Sequence, residues 1–314
     1  MPDAQERAIP LCVCVPARNE ADRLPILLDA LARQDWPSTI PVSIAINNTT
    51  DESIAVVEAA GNLHADRLAI HVTEAHFPPD LAHAGSARRL AMDEGIALLA
   101  GAQEAILVST DADARPPADW LSNIAAAFAR GADLVGGSIE IDEEDGALPP
   151  AVRGLRAAWD RYWAKVRTIE DEVDPLSWDP APRHGDHTGA SLAIGADVYR
   201  ACGGVPVIPT GEDRALVRAA LTIGARLAHP ANVRIRVSSR TDGRAEGGMA
   251  TAMQQLFSAA EQGRVPMAPA FDHWQARAAW RKAMRGWPDG HVQIARQESS
   301  LPPMPHDMPL DMGE

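Results

Sequence analysis

The sequence has few cysteines and no excess of basic residues, and each absence excludes a class of protein. Its three cysteines are too few for a disulfide framework, and Cys12 and Cys14 form C-x-C rather than a redox or zinc C-x-x-C pair. We expect these two to be small core residues. Lys and Arg number 29 against 43 Asp and Glu, giving a net charge of −14. Binding nucleic acid would require a local basic patch that the sequence lacks, so we expect no nucleic-acid partner.

The sequence also lacks a long apolar run. It has no stretch of about 18 apolar residues, so we expect no transmembrane segment. Residues 1–7, M-P-D-A-Q-E-R, have neither the basic nor the apolar region of a signal peptide. We therefore expect a cytoplasmic protein, and peripheral contact with a membrane surface remains open.

Short apolar segments alternate with helical periodicity over the first 140 residues. Predicted strands are 9–15, 42–46, 68–72 and 106–108, and predicted helices are 22–33, 54–60, 86–100 and 118–130. Strands separated by helices of about 10 to 15 residues indicate a parallel sheet with helices on both faces. At 314 residues the chain holds one large domain or two modest ones.

Polar clusters follow three of these strands, at residues 16–20, 47–51 and 111–113. Ligands bind beyond the carboxyl ends of parallel strands, so we expect the three clusters to meet in one crevice. Asp111 and Asp113 are spaced i, i+2, and in an extended chain they share one face and can converge on a hard cation. The alternative is a polar turn that closes a buried strand.

The second half is less regular. A predicted strand at 133–141 contains Gly136 and Gly137, which indicate a bulge or the close approach of another backbone. A helix is predicted at 152–168. Residues 171–187 form a long segment without predicted structure, and such loops are usually functional or mobile.

Four motifs resemble those of family 2 glycosyltransferases. V-P-A-R-N-E at 15–20 is similar to the V-P-x-x-N-E opening of that family, and the polar cluster at 47–51, D-A-D at 111–113 and E-D-R-A-L at 212–216 follow in the family's order. The resemblance spans residues 9–248. It implies the Rossmann-like GT-A fold, α/β with a mostly parallel mixed central sheet covered by helices on both faces. It also implies transfer of a sugar, most commonly a hexose, from a nucleotide diphosphate sugar of the UDP or GDP type to an acceptor hydroxyl.

The resemblance also implies a domain organisation. Residues 1–248 would form the GT-A domain, with a nucleotide-sugar half at about 9–140 and an acceptor half at about 141–248. Residues 249–314 would be a helical extension, whose tail from about 298 is rich in proline and acidic residues and is expected to be disordered.

By the family pattern, Asp113 would bind Mg²⁺ or Mn²⁺, and Asp111 would share the metal through water or contact the ribose. Glu20 would accept hydrogen bonds from the nucleoside, unless it is a first-turn acid that favours a helix dipole. The residues expected to bind the nucleotide sugar are Pro16, Ala17, Arg18, Glu20, Asn48, Arg88, Asp111, Ala112, Arg240 and Arg244. The two arginines 240 and 244 lie in a glycine-rich loop that would close over the diphosphate.

Two positions depart from the family pattern. Asn47 and Asn48 replace the usual Asp-Asp, which removes charge and adds amides that could read a base edge. Arg88 lacks the asparagine of the family's A-R-N. Arg88 could either contact a phosphate or lie on the solvated face of a helix, since arginine suits both roles.

Asp213 would be the general base that takes the proton of the acceptor hydroxyl, with Glu212 beside it. Direct displacement by that hydroxyl inverts the anomeric centre. Without the resemblance, the two residues would simply be acids in the first turn of a helix. Acceptor contacts are expected from His187, Gly189 and Ala190, and His229 is expected as a further metal ligand.

Other classes do not fit the motifs. A haloacid-dehalogenase phosphatase needs Thr or Val where Arg115 stands, and residues 16–20 contain no glycine for a nucleotidyltransferase or dinucleotide loop. The remaining alternative is a catalytically inactive GT-A-fold protein that binds nucleotide sugars or acts as a scaffold. Asn47 and Asn48 favour it.

Overall fold

The structure is a computed structural model that describes residues 9–100, 102, 104–142, 144, 148–238, 254, 257–258 and 261–313. The first half alternates strands and helices as predicted. Its elements are β1 (Leu11–Ala17), α1 (Leu24–Ala32), β2 (Ile40–Asn47), α2 (Ser53–Leu63), β3 (Leu68–Ala75), α3 (Ala84–Leu98), β4 (Ile106–Ser109), β5 (Ala114–Arg115) and α4 (Trp120–Ala129). β1 pairs in parallel with both β2 and β4, and β2 pairs in parallel with β3.

The second half adds three strands to this sheet. Its elements are β6 (Leu134–Gly136), β7 (Ser138–Asp142), α5 (Pro150–Val173), β8 (Leu192–Gly195), α6 (Ala196–Ala201), α7 (Glu212–Thr222), β9 (Leu227–Ala228) and β10 (Arg234–Ser238). The seven-stranded order is β3-β2-β1-β4-β8-β6-β9. β8 runs antiparallel to both neighbours, so the sheet is mixed. β5, β10 and β7 form a second, three-stranded sheet.

The predicted strand at 133–141 is divided between the two sheets. β6 ends at Gly136 and β7 begins at Ser138. A Cβ on Gly136 would lie 2.3 Å from the Asp186 carbonyl oxygen, and one on Gly137 would lie 2.1 Å from Ser191 Oγ. Gly136 therefore allows the close backbone approach that its position predicted, and Gly137 leaves room for the Ser191 side chain.

The core lies on both faces of the large sheet. Val13 and Val15 face the side covered by α1, α2 and α4, whereas Cys12 and Cys14 face the side covered by α3, α6 and α7. Both cysteines are fully buried, as expected, and burial raises the pKa of the Cys14 thiol. A Cβ on Gly95 of α3 would lie 2.7 Å from Cys14 Sγ, so this helix packs directly on β1.

The C-terminal segment packs against α5. It contains β11 (Met267–Ala268), α8 (Phe271–Arg285), α9 (Gly290–Gln297) and β12 (Met308–Pro309). Tyr162 on α5 stacks on Phe271 of α8, with ring centroids 5.4 Å apart. No helix in the described ranges has the length and apolar character needed to cross a membrane.

The expected disorder of the tail was wrong for its described part. β12 pairs antiparallel with β11, and Leu310 is 3% exposed in an apolar cluster with Tyr162. Composition predicted too little buried surface to order the tail, but Met308 and Leu310 reach apolar partners on α5 and α8. Their burial offsets the entropy of ordering.

Candidate active site

The polar clusters after β1 and β2 meet, as predicted. Asn19, at φ 49°, accepts a hydrogen bond from the Thr50 backbone N–H at 2.7 Å, and its own N–H donates to Thr49 Oγ1 at 3.1 Å. The Glu20 N–H donates to Ser53 Oγ at 2.9 Å. Asparagine tolerates this left-handed conformation, which turns the chain at the sheet edge.

The first cluster supplies fewer open side chains than its motif implied. Glu20 is 7% exposed and lies four residues before α1, which has no acidic residue in its first turn. The helix-dipole alternative for Glu20 is therefore wrong. Pro16 and Ala17 end β1, and the Ala17 methyl is buried in the core, so only its backbone can contact a nucleotide. Arg18 Nη1 donates to the Ala82 carbonyl at 3.2 Å.

Asn48 holds the segment that follows β3. Its Nδ2 donates to the Phe77 carbonyl at 2.9 Å, and its Oδ1 accepts from the Phe77 N–H at 3.1 Å. The residue has φ 47°, which asparagine tolerates. The carboxamide thus acts as a clamp on Phe77, and its contact with a base stays a prediction.

Arg88 connects three of the predicted motifs. The residue is 4% exposed, so the solvated alternative is wrong. Its Nε donates to Glu212 Oε1 at 3.0 Å and its Nη2 to Asp111 Oδ1 at 2.8 Å. Its Nη1 donates to Ser109 Oγ at 2.6 Å and to the Gly189 carbonyl at 3.0 Å. One guanidinium therefore ties the end of β4, the acceptor loop and the start of α7 together.

The two carboxylates stabilise the charge of this buried group. Burial would lower the pKa of Arg88, but the charges of Asp111 and Glu212 and their hydrogen bonds outweigh it and raise the pKa. Glu212 is itself buried, and it serves as a counter-ion rather than as a group open to substrate. A direct part for Glu212 in catalysis stays a prediction.

Asp213 lies at the start of α7, where Gly211 has φ 74°. Its Oδ2 accepts from the Gly189 N–H at 2.8 Å and its Oδ1 from the Arg214 N–H at 2.6 Å. Glu212 and Asp213 both lie in the first turn of α7, where acidic side chains interact favourably with the helix dipole, as the alternative interpretation predicted. The bond to Gly189 further brings Asp213 against the predicted acceptor loop.

The predicted acceptor loop is largely buried. Gly189–Ser191 forms a 3₁₀ turn before β8, and all three residues are buried. Gly189 uses its N–H and its carbonyl on Asp213 and Arg88, and Ala190 is a core residue. The predicted contacts of Gly189 and Ala190 with the acceptor stay a prediction. His187 precedes this turn.

A histidine cluster lies beside the acceptor loop. His229 Nδ1 lies 3.1 Å from Asp179 Oδ2, and its Nε2 lies 3.3 Å from His187 Nδ1. Both ring nitrogens of His229 have protein partners, and its binding to a metal stays a prediction. His184 lies nearby, with its ring centroid 5.7 Å from that of His229. Asp179 and His184 were missed, although the length of the 171–187 segment indicated function.

Burial sets the protonation of these histidines. It lowers the pKa of His184 to about 3 and that of His187 to about 4, and the charge of His229 acts in the same direction. Burial would raise the pKa of Asp179, but hydrogen bonds and charge from His229 and the charge of Arg183 outweigh it and lower the pKa. Near pH 7, His184 and His187 are therefore neutral and Asp179 is ionised.

The carboxylates after β4 fit a metal that is shared with substrate. Within the part of the chain that the structure describes, no group of three or more His, Cys, Asp or Glu residues could hold a metal by itself. Asp111 and Asp113 offer hard oxygen donors, and Asp111 is 38% exposed although one oxygen accepts from Arg88. Mg²⁺ commonly binds one or two carboxylates, with water and substrate phosphate completing its shell. Arg240 and Arg244 lie outside the described residues.

A family model for glycosyl transferase family 2 matches residues 12–171, just over half of the sequence. The chain belongs to this family. The match includes the opening motif, the polar cluster and D-A-D. No curated protein matches this chain significantly.

Solved structures confirm the GT-A fold. One is the mannosyltransferase PcManGT from Pyrobaculum calidifontis in complex with GDP-Man and Mn²⁺, at TM-score 0.52 and 17% identity, covering 92% of this chain and 79% of that one. Another is S. aureus TarS 1-349 in complex with UDP-GlcNAc, at TM-score 0.53 and 14% identity, covering 88% and 72%. A complex of the same TarS segment with UDP matches at TM-score 0.51 and 15% identity, covering 88% and 71%.

Proposed function

We propose that this glycosyltransferase moves a hexosyl unit from a UDP or GDP sugar to an acceptor hydroxyl, with metal assistance and inversion. The observation that carries the proposal is the set of bonds made by Arg88. Through it the donor motif at Asp111, the acceptor loop at Gly189 and the E-D motif at Glu212 share one buried group. This shared contact supports a single site in which the donor and the acceptor would meet.

The donor would bind beyond the carboxyl ends of β1, β2 and β4. Asp111 and Asp113 would hold Mg²⁺ or Mn²⁺ there, and the bound ion would neutralise charge on the leaving diphosphate. GDP-Man with Mn²⁺ and UDP-GlcNAc in the similar structures support a nucleotide sugar as the donor class. Arg240 and Arg244 remain candidates for contact with the diphosphate.

Asp213 would accept the proton from the attacking hydroxyl. Backbone N–H groups of Gly189 and Arg214 hold its carboxylate in place, so little reorganisation is needed when the acceptor binds. Each carboxylate oxygen can accept more than one hydrogen bond, and capacity remains for the acceptor hydroxyl. Attack opposite the diphosphate would convert an α-linked donor into a β-linked product.

A thermal-shift screen of UDP, GDP, CDP and dTDP sugars, each with Mn²⁺ and with EDTA, tests donor binding. A ligand at 100 times its dissociation constant should add about 2.7 kcal/mol of stability. The sugar that gives the largest shift is then incubated with the protein, and release of nucleoside diphosphate is measured. Binding without any release would favour the inactive binding protein, and no metal-dependent shift would contradict the proposal.

A further inference from the structure

Glu170, near the end of α5, is the centre of a buried cluster of arginines. The residue is 4% exposed, and its Oε1 accepts from Nη1 of Arg281 on α8 at 2.7 Å. Its Oε2 lies 3.1 Å from Arg183 Nη2 and 2.9 Å from Arg167 Nη1. Burial would raise the pKa of Glu170, but the charges of the three arginines and the hydrogen bond from Arg281 outweigh it and lower the pKa. One ionised carboxylate thus joins α5, α8 and the connecting segment (residues 174–187).

Arg285 attaches α8 to the start of the connecting segment. Its Nε donates to Asp174 Oδ2 at 2.8 Å, and Asp174 is 8% exposed. Its guanidinium carbon lies 5.9 Å from the centre of the Trp178 ring, within the range of a cation–π contact. The helix α8 therefore holds this segment at two places, at Asp174 through Arg285 and at Arg183 through Glu170.

The end of the connecting segment packs against the large sheet. Arg183 forms an isolated antiparallel bridge with Pro230. The His184 N–H donates to the His229 carbonyl at 3.1 Å. The Asp186 carbonyl oxygen lies directly against Gly136, the last residue of β6, where an added Cβ would be 2.3 Å away. The segment is therefore fixed between the ion pairs of α8 and the strands that carry the proposed site.

Only a short stretch of chain separates the connecting segment from Asp213. Gly189 is three residues after Asp186, and its N–H donates to Asp213 Oδ2 at 2.8 Å. Three residues of extended chain span at most about 11 Å, so a displacement at Asp186 has little length in which to be absorbed. The position of the Gly189 N–H thus depends on how the connecting segment is held.

We propose that Arg281 and Arg285 are positioning residues, through which α8 holds the connecting segment and so fixes the Gly189 N–H that orients Asp213. The inference rests on the proposed glycosyl transfer, in which Asp213 is the general base, and adds the C-terminal segment to it. Buried ion pairs suit this role, because an arrangement that leaves one buried charge unpaired is strongly disfavoured. The donor carboxylates follow β4, which pairs with β1, so we expect donor affinity to depend little on α8.

Hydrogen exchange followed by mass spectrometry tests this connection without requiring activity. In Arg281→Gln and in Arg285→Gln, the amides of residues 183–191 should exchange at least about 5-fold faster, because the coupling between paired charges changes local equilibria by such factors. The amides of β1 and β2 should exchange as in the unmodified protein. Arg285→Lys should restore the protection, since a single ammonium can still pair with Asp174.

Arg277→Gln is the matched control for a lost arginine on the same helix. Arg277 Nη1 lies 3.7 Å from Glu298 Oε1, and its Nη2 donates to the Pro302 carbonyl at 3.3 Å. These partners belong to the C-terminal segment itself, so exchange at residues 183–191 should stay unchanged.

Three exchange results would overturn the proposal. One is unchanged exchange at residues 183–191 in both Arg281→Gln and Arg285→Gln. Another is an equal acceleration there in Arg277→Gln. The third is faster exchange throughout β1 and β2 in the two glutamine variants, since that would be a general loss of structure and the proposed effect is local.

Hydrolysis of the donor, with water as the acceptor, tests the effect on Asp213. With Mn²⁺ and the sugar nucleotide selected by the thermal-shift screen, Arg281→Gln and Arg285→Gln should lower kcat by up to about 100-fold, the cost of a displacement of about 1 Å at a catalytic group. KM for the donor should stay unchanged, and Arg285→Lys should restore most of kcat. A rise in KM with kcat unchanged would contradict the proposal, because α8 would then act on the donor site.

A double variant tests whether Arg285 acts through Asp213. Asp213→Asn combined with Arg285→Gln should lower kcat no further than Asp213→Asn alone. Additive losses would contradict the proposal. Absence of donor turnover in the unmodified protein would contradict the proposed function, and hydrogen exchange would still decide whether α8 holds the connecting segment.

Discussion

At the scale of single residues, Arg88 shows how a buried charge can organise a site. Its guanidinium is in contact with two carboxylates, a hydroxyl and a carbonyl, contributed by three separate parts of the chain. Leaving a buried charge unpaired is costly, so each partner is constrained by the others. Asp111 and Glu212 are therefore coupled, although 101 residues separate them in sequence.

Asp113→Asn should abolish metal-dependent donor binding while leaving the fold intact. Asp113 is proposed to bind the cation directly, and an amide oxygen is a weaker ligand for a hard cation than a carboxylate oxygen. Calorimetric titration of the selected nucleotide with and without Mn²⁺ measures the effect. Glu144→Gln is a control, because this exposed residue pairs with Arg115 without being assigned to the metal. Unchanged affinity for Asp113→Asn in Mn²⁺ would remove the basis of the assignment.

Asp213→Asn should lower turnover by about 10² to 10⁴-fold with little change in donor affinity, the usual range for loss of a general base. Glu212→Gln should act differently, because it removes a counter-ion of the buried Arg88 and should also lower the unfolding temperature. Rates under donor saturation and thermal melts of both variants separate the two effects. A greater loss of turnover for a stable Glu212→Gln would assign the base to Glu212. Product stereochemistry, read from the anomeric proton, must show inversion.

At the scale of elements, the turn before β8 packs closely against Arg88 of α3. The turn at Gly189–Ser191 lies between β4, α3 and α7, and Gly189 contacts the buried Arg88. A Cβ on Gly189 would lie 2.5 Å from the guanidinium carbon of Arg88. The packing of this turn therefore depends on the absence of a side chain.

Gly189→Ala should destabilise the fold by about 1 to 3 kcal/mol, because the added methyl forces Arg88 from its bonds. Gly154→Ala on α5 is the matched control, since its Cβ would meet no atom within 4 Å. Alanine in an exposed helix should stabilise by about 0.5 to 1 kcal/mol. Urea unfolding of the two variants measures these free energies. Equal stability of Gly189→Ala and the unmodified protein would show that Arg88 can move without cost.

At the scale of the whole molecule, the histidine cluster makes stability depend on pH. The folded-state pKa values of His184 and His187, about 3 and about 4, lie below their ordinary value. Between pH 6.5 and about 4.5, the unfolded chain therefore binds more protons than the folded one. The free energy of unfolding should fall with decreasing pH, with a slope approaching about 1.4 kcal/mol per pH unit for each histidine.

Urea unfolding at several pH values from 7 to about 4.5 measures this slope. His187→Gln should remove the contribution of one histidine, and substitution of the exposed His76 by Gln is the control for loss of a histidine outside the cluster. A slope that His187→Gln leaves unaltered would mean that His187 titrates normally in the folded state.

Much of the architecture could be predicted from local pattern. Apolar segments of strand length alternated with helical periodicity, and Cys12 and Cys14 were recognised as core residues. Asn19 and Thr50 were expected at one sheet edge because parallel strands end there together. The predicted disorder of the tail after 298 was wrong for its described part. The composition of the tail does not reveal the apolar surface of α5 and α8 against which Leu310 packs.

The sequence by itself determined the fold class, the family motifs and the edge of the sheet where Asp111 lies. These depend on periodicity and on short motifs, which are local properties of the chain. Only the tertiary structure decided the partners of Arg88, the burial of Glu212 and the pairing of His229 with Asp179. Such pairs join residues up to 124 positions apart, and composition and spacing do not specify which charges meet. Which charges pair depends on which of them the fold buries together, because a buried charge is costly unless it is paired or hydrogen-bonded.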